Sequence, residues 1–343
     1  MTSELLRPPA ERAPAPLTPP MPPASLGLTW RPLTPADVAE LAALCCAVEA
    51  ADAAPFRTTL EETAERFEGT WKRHELDTLA GVDATGRMVA FGQVTTNPGD
   101  EGTVRVFLEG GVHPDARGRG VGRALVAWMD GRGRQLLAES GKELPARLLT
   151  YLEAVHDGAR ALYAESGFTP MRYYTEMRRP LDVELPAVRA VDGFSLVPWT
   201  PELDDAVRRA HNEAFADHWG SEPMTAETWA LRTGSYVRDW SRVAVEDATG
   251  EVAGYLLSTR YEQDWPVLGH SFGYTSMLGV RRPWRGRGLA VALLAWAMAA
   301  YRADGMEFAR LGVDTANPSG AHGLYAALGY EVDDGSVMYS IEI

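Results

Sequence analysis

The sequence predicts an α/β protein of the α+β type. It reads as two tandem copies of one mixed, partly antiparallel sheet flanked by helices. Three observations predict this. Four segments recur in the same order, roughly 160 to 170 residues apart, which marks an internal duplication. Each copy runs strand, helices, hairpin strands, strand, Gly/Arg turn, helix, strand, helix, which is a mixed layer architecture. The chain has 343 residues, 45% of them hydrophobic, enough for about two cores.

The elements follow in order. Met1 to Ser25 is crowded with proline, including Pro8, Pro9, Pro19, Pro20, Pro22 and Pro23, and is expected to be an extended or disordered tail. Trp30-Arg31-Pro32-Leu33-Thr34-Pro35 has its counterpart in Val197-Pro198-Trp199-Thr200-Pro201, and each Thr-Pro opens a helical stretch, Ala36 to Val48 and Glu202 to Phe215. Asp83-Ala84-Thr85-Gly86 is repeated letter for letter as Asp247-Ala248-Thr249-Gly250, each a hairpin turn between apolar runs. His113 to Gly122 matches Arg281 to Ala290, and Leu162 to Phe168 matches Leu324 to Tyr330. Leu181 to Gly193 reads as a linker. The expected domains are therefore residues 26–180 and 194–343, after a tail of residues 1–25.

Composition excludes some functions. The net charge of −14 leaves no basic excess for phosphates, so no nucleic-acid partner is expected. No apolar run reaches membrane-spanning length, and residues 1–12 lack a signal-peptide core, so a cytoplasmic protein with no membrane partner is expected. Cys45 and Cys46 are adjacent and read as small buried apolar residues. No metal site is expected. Arginine far outnumbers lysine, which occurs only at Lys72 and Lys142, and that bias fits a GC-rich genome.

The stretch Met277 to Tyr301 organises the rest. An apolar strand, Ser271 to Val280, runs into the turn Arg281 to Gly288, and the turn opens a helix free of Gly and Pro. Free N–H groups and the helix dipole at that start favour a phosphate or pyrophosphate. A Walker loop needs Gly-Lys-Ser/Thr, and Gly288-Leu289-Ala290 has neither Lys nor a hydroxyl. A Rossmann fingerprint needs a third Gly where Val291 stands. The third reading is R-x-x-G-x-A, from Arg285, Gly286, Arg287, Gly288, Leu289 and Ala290. Asn317-Pro318 then reads as a helix start, with Tyr325 about two turns on and Gly329 ending the helix.

These two motifs together resemble the signatures of the GCN5-related N-acetyltransferases (GNAT). The tandem arrangement resembles the actinobacterial group around mycothiol synthase. The resemblance covers about residues 28–343. It implies two splayed sheets that hold acetyl-CoA, with a small-molecule amine as acceptor. It implies that Leu278, Val280, the loop Arg285 to Ala290 and Asn317 hold the cofactor, and that Tyr325 protonates the departing thiolate. The first copy keeps R-x-x-G-x-G in Arg117, Gly118, Arg119, Gly120, Val121 and Gly122, after Val112, and is expected to keep cofactor contacts. Aligning Tyr163 with Tyr325 puts Val155 where Asn317 stands, so a weakened, non-catalytic first copy is expected. Family members often place a Glu on the strand before the loop, and none stands there in the second copy. The base is left open among Tyr274 acting through water, His270, Glu213, Asp217, His218, Glu222 and Asp314. Direct acyl transfer by the second copy is the leading expectation. Mycothiol synthesis proper and a non-catalytic acyl-CoA sensor are the alternatives. A monomer or homodimer is expected.

Overall fold

A computed structural model describes residues 6–316 and 320–343. Asn317, expected to cap a helix and touch the cofactor, lies outside the described residues. The chain forms two compact units, residues 1–172 with 336–343, and residues 173–335.

In the first unit the strands are β1 (Thr29–Arg31), β2 (Thr78–Val82), β3 (Met88–Thr96), β4 (Val104–Val112) and β5 (Ala146–Glu153). They pair antiparallel except β4 with β5, which run parallel. In the second, β7 (Phe194–Pro198), β8 (Val237–Glu246), β9 (Val252–Thr259), β10 (Phe272–Val280) and β11 (Phe308–Asp314) repeat the pattern, with β10 and β11 parallel. This is the mixed, partly antiparallel sheet that the repeat predicts.

The last strand of each repeat closes the other repeat's sheet. Tyr174 to Pro180 of β6 (Thr169–Pro180) pairs antiparallel with β11. Ser336 to Glu342 of β12 (Glu331–Glu342) pairs antiparallel with β5. The expected division at residues 181–193 therefore differs from the observed units. The linker lies inside the second unit, and each unit borrows a strand from beyond it. Both borrowed strands have ordinary strand sequences, and nothing local says which sheet they join.

The second unit's core is built on the helix Leu289–Ala303. It buries Leu289, Leu293, Leu294, Ala297, Met298 and Tyr301 against Trp240, Ala244, Leu256 and Leu311. Tyr301 fills the space over Gly273, where a Cβ would stand 2.4 Å from its ring. Its hydroxyl bonds Ser258 at 2.6 Å and Thr275 at 3.0 Å, so the buried polar group is satisfied. No described helix is long and apolar enough to cross a membrane.

A buried histidine makes this unit acid-sensitive. His211 Nδ1 and the Tyr255 hydroxyl share a hydrogen bond at 2.6 Å, and the ring stacks on Phe215 at 4.7 Å. Burial lowers its pKa from 6.5 to about 4. A depressed folded-state pKa gives stability that is complete above pH 6.5 and is lost as pH falls through 4. The expected loss approaches about 3 kcal/mol at the acid end. Urea midpoints at pH 7 and pH 4.5 for wild type and His211→Gln check this; an equal acid shift in the variant would count against it.

The proline-rich tail is a correction. From residue 6 it is described as docked rather than free. A helical turn at Pro9–Arg12 is followed by prolines lying on the helix Val121–Glu139. A Cβ at Gly131 would stand 2.7 Å from Pro20 Cδ and 3.3 Å from Pro16 Cγ. Gln135 Nε2 donates to the Pro16 carbonyl at 2.9 Å, and Arg12 donates to the Leu144 carbonyl. A proline segment loses little chain entropy on docking, and a glycine on the helix supplies the groove. Gly131→Val should release it. The overpacking costs about 1–3 kcal/mol, so tryptic cleavage after Arg12 should speed up about tenfold or more.

Candidate active site

In the second unit β10 and β11 pair from Phe272↔Phe308 to Thr275↔Leu311 and then part. Beyond that point Leu278 to Val280 pair only with β9, and Gly312 to Asp314 only with β6. A parting between parallel strands leaves backbone N–H and C=O groups free for an extended ligand. The first unit parts in the same way after Phe107↔Leu149.

The two gaps differ in one backbone feature. The pairing of β10 with β9 shifts register between Thr275 and Met277, so Ser276 is an extra residue. Such a bulge turns the following backbone groups to a new direction, here just before Leu278. In the first unit β4 pairs with β3 from Val106 to Val112 without a shift.

Past each gap lies the Gly/Arg turn. Gly286 and Gly288 adopt φ of 77° and 85°, and Gly118 and Gly120 adopt 73° and 87°. This left-handed region suits glycine. A Cβ at Gly286 or Gly288 would meet nothing within 4 Å. Leu289 and Val121 then begin the two long helices, whose first N–H groups have no partner within the helix. The leading arginines of both motifs are engaged by protein. Arg285 donates to the Val280 carbonyl at 3.0 Å and the Ala214 carbonyl at 2.7 Å. Arg117 donates to the Val112 carbonyl at 3.0 Å and forms a fork with Asp52 at 2.5 and 2.8 Å. They brace the loop onto its own strand. Arg119 and Arg287 are exposed, and Arg287 lies over the Phe194 ring at 5.6 Å.

Tyr325 stands on the helix Ala321–Ala327, buried to 9% exposure, and its hydroxyl makes no hydrogen bond among the described residues. Burial pushes its pKa up to about 12. The described helix begins at Ala321, with Gly320 at φ 70°. Tyr163 in the first unit is also buried and raised to about 12, but its hydroxyl is taken by Thr150.

Of the residues weighed as a base, Glu213 is held by Arg281 at 2.7 Å and Asp217 by Arg282. His218 Nδ1 meets the Trp219 carbonyl at 3.2 Å, and Asp314 Oδ1 accepts from Ala316 N–H at 2.9 Å. His270 precedes β10, at the end away from the gap, against Phe308 at 4.4 Å. Tyr274 alone meets a carboxylate within the sheet: its hydroxyl donates to Glu176 Oε1 at 3.1 Å. Sequence reasoning missed Glu176, because it belongs to the first repeat and arrives on the exchanged strand.

Two models of the acetyltransferase (GNAT) family match the chain, one over residues 205–330 and one over 78–170. A mycothiol acetyltransferase of Streptomyces avermitilis is 32% identical over 233 residues, covering 67% of this chain and 70% of that protein. The chain belongs to the GNAT acetyltransferases. The mycothiol acetyltransferase of Thermobifida fusca is 30% identical across 91% of this chain and 97% of its own. Among solved structures, a GNAT protein of Sphaerobacter thermophilus superposes with TM-score 0.69 at 28% identity, covering 94% and 96% of the two chains. A tandem GNAT protein of the clavulanic acid pathway superposes with TM-score 0.64 at 24% identity and supports the fold. This GNAT chain is thus a tandem acetyltransferase, similar to mycothiol acetyltransferases of Streptomyces and Thermobifida.

Proposed function

We propose that the second unit transfers an acetyl group from acetyl-CoA directly to the primary amine of a small molecule. The observation that carries this reading is Tyr325, buried to 9% exposure with a hydroxyl that makes no hydrogen bond among the described residues, in the unit whose strand bulges at the gap. The pyrophosphate would meet the free N–H groups around Gly286 to Ala290, with Arg287 beside them. The pantetheine arm would lie in the gap between β10 and β11. A backbone N–H near Leu278, turned by the bulge at Ser276, would polarise the thioester oxygen. The neutral amine attacks the carbonyl, a C–N bond forms and the C–S bond breaks. Tyr325 gives its proton to the leaving thiolate, and regains one from the amine through solvent.

The first unit, with no bulge where β4 pairs with β3 and with the Tyr163 hydroxyl engaged, is read as non-catalytic. The names of the relatives favour a narrower reading, the acceptor of mycothiol acetyltransferases, and we propose a cytoplasmic location. The test is calorimetry with acetyl-CoA, then thiol release across primary amines including amino sugars, amino acids and the mycothiol precursor. Binding with amine-dependent thiol release supports the reading. Absence of acetyl-CoA binding would remove it.

A further inference from the structure

The second unit lacks a carboxylate on β10, yet a carboxylate reaches its gap from the first repeat. Glu176 on β6 pairs with Gly312 of β11. Gly312 is the first residue of β11 beyond the last β10–β11 pair, Thr275↔Leu311. A Cβ on Gly312 would stand 2.7 Å from Glu176 Oε1 and 3.0 Å from the Tyr274 hydroxyl. The two groups therefore meet over the point where the parallel strands part, and glycine leaves them the room.

The surroundings suit a proton acceptor. Arg310 is the cation facing Glu176 from β11, but its guanidinium pairs with Asp333 at 2.9 Å, and Asp333 also holds Arg178 at 3.1 Å. Asp333 and Asp334 face Glu176 from the start of β12, and Tyr261 packs on Tyr274 at 5.6 Å. Burial, with those two acids, holds the Glu176 carboxylate above its ordinary range, and burial holds the Tyr274 phenol protonated. Tyr274 can thus relay a proton without ionising.

We infer that Glu176 and Tyr274 together accept the proton of the incoming ammonium, so that the first repeat supplies a catalytic group to the second repeat's site. The ammonium N–H bond breaks and its proton passes to the Tyr274 oxygen. The Tyr274 proton passes to Glu176. The freed nitrogen lone pair attacks the thioester, and Glu176 returns its proton to solvent after the product leaves. The acceptor this pair suits is an amine that is cationic at neutral pH.

This rests on the acetyl-transfer reading, and the experiment separates the two. Wild type, Glu176→Gln and Tyr274→Phe are assayed with the best primary amine of the panel and with hydroxylamine, which is already neutral at pH 7. Acetyl-CoA affinity is measured in parallel. We expect Glu176→Gln to lower kcat/KM for the amine about a hundredfold, and hydroxylamine turnover to hold within about threefold. The acid limb of the wild-type pH profile should move to higher pH in Glu176→Gln, whose rate then follows the amine's own ionisation. Equal losses with both nucleophiles would make Glu176 structural and overturn the inference. So would an unchanged acid limb, or a wild type that acetylates hydroxylamine and no amine. Loss of acetyl-CoA binding in wild type would instead strike the acetyl-transfer reading itself.

Discussion

Replacing Tyr325 with phenylalanine should lower kcat for acetyl transfer by about a hundredfold or more, while acetyl-CoA affinity holds within about threefold. The proton is needed only as the C–S bond breaks, so the loss belongs to the transition state and not to binding. A phenol is a weak acid against a thiol in water. Here its pKa is pushed up to about 12 by burial alone. The same dry surroundings raise the proton affinity of a nascent thiolate, which offsets the rise in the phenol. The hydroxyl, with no hydrogen bond among the described residues, can then turn to the sulfur. The comparator is Tyr163→Phe. That hydroxyl is already held by Thr150, and its removal should change turnover less than about twofold. Equal losses in both variants, or a loss seen only in KM, would sink the role given to Tyr325.

The architecture was legible because duplication writes it twice. A hairpin turn such as Asp83 to Gly86, or a Gly/Arg turn, is weak evidence once and strong evidence when repeated in order. The loop was legible because φ above zero at Gly286 and Gly288 demands glycine, and the sequence shows glycine. What stayed hidden depends on pairing between segments. The extra residue Ser276 is a matter of register against β9, and no single strand reveals it. The exchange of β6 and β12 left Glu176 counted with the wrong repeat, and the site then looked short of a carboxylate. Arg285 and Arg117 matched a phosphate-binding motif by letter, but their partners, the Val280 and Val112 carbonyls, come from the fold of the turn. The tail was misread for a related reason. Proline content signals a segment that cannot build a core, but it says nothing about a groove at Gly131, more than a hundred residues away in sequence.

Gly288→Trp should weaken acetyl-CoA binding more than a hundredfold, about 2.7 kcal/mol or more. Two effects of the substitution must be told apart. Gly288 sits at φ 85°, so any side chain there meets backbone strain of about 1–2 kcal/mol. An indole also fills space that is now open, since a Cβ at this position meets nothing within 4 Å. Gly288→Ala carries the strain without filling that space. It should lower the unfolding midpoint as much as Gly288→Trp does, yet lose affinity by only about tenfold or less. Calorimetry on the three proteins, beside their urea midpoints, reads both quantities. If alanine costs as much affinity as tryptophan, the turn acts through its shape alone. If tryptophan binds acetyl-CoA like wild type, the open face at the helix start is not where the cofactor lies.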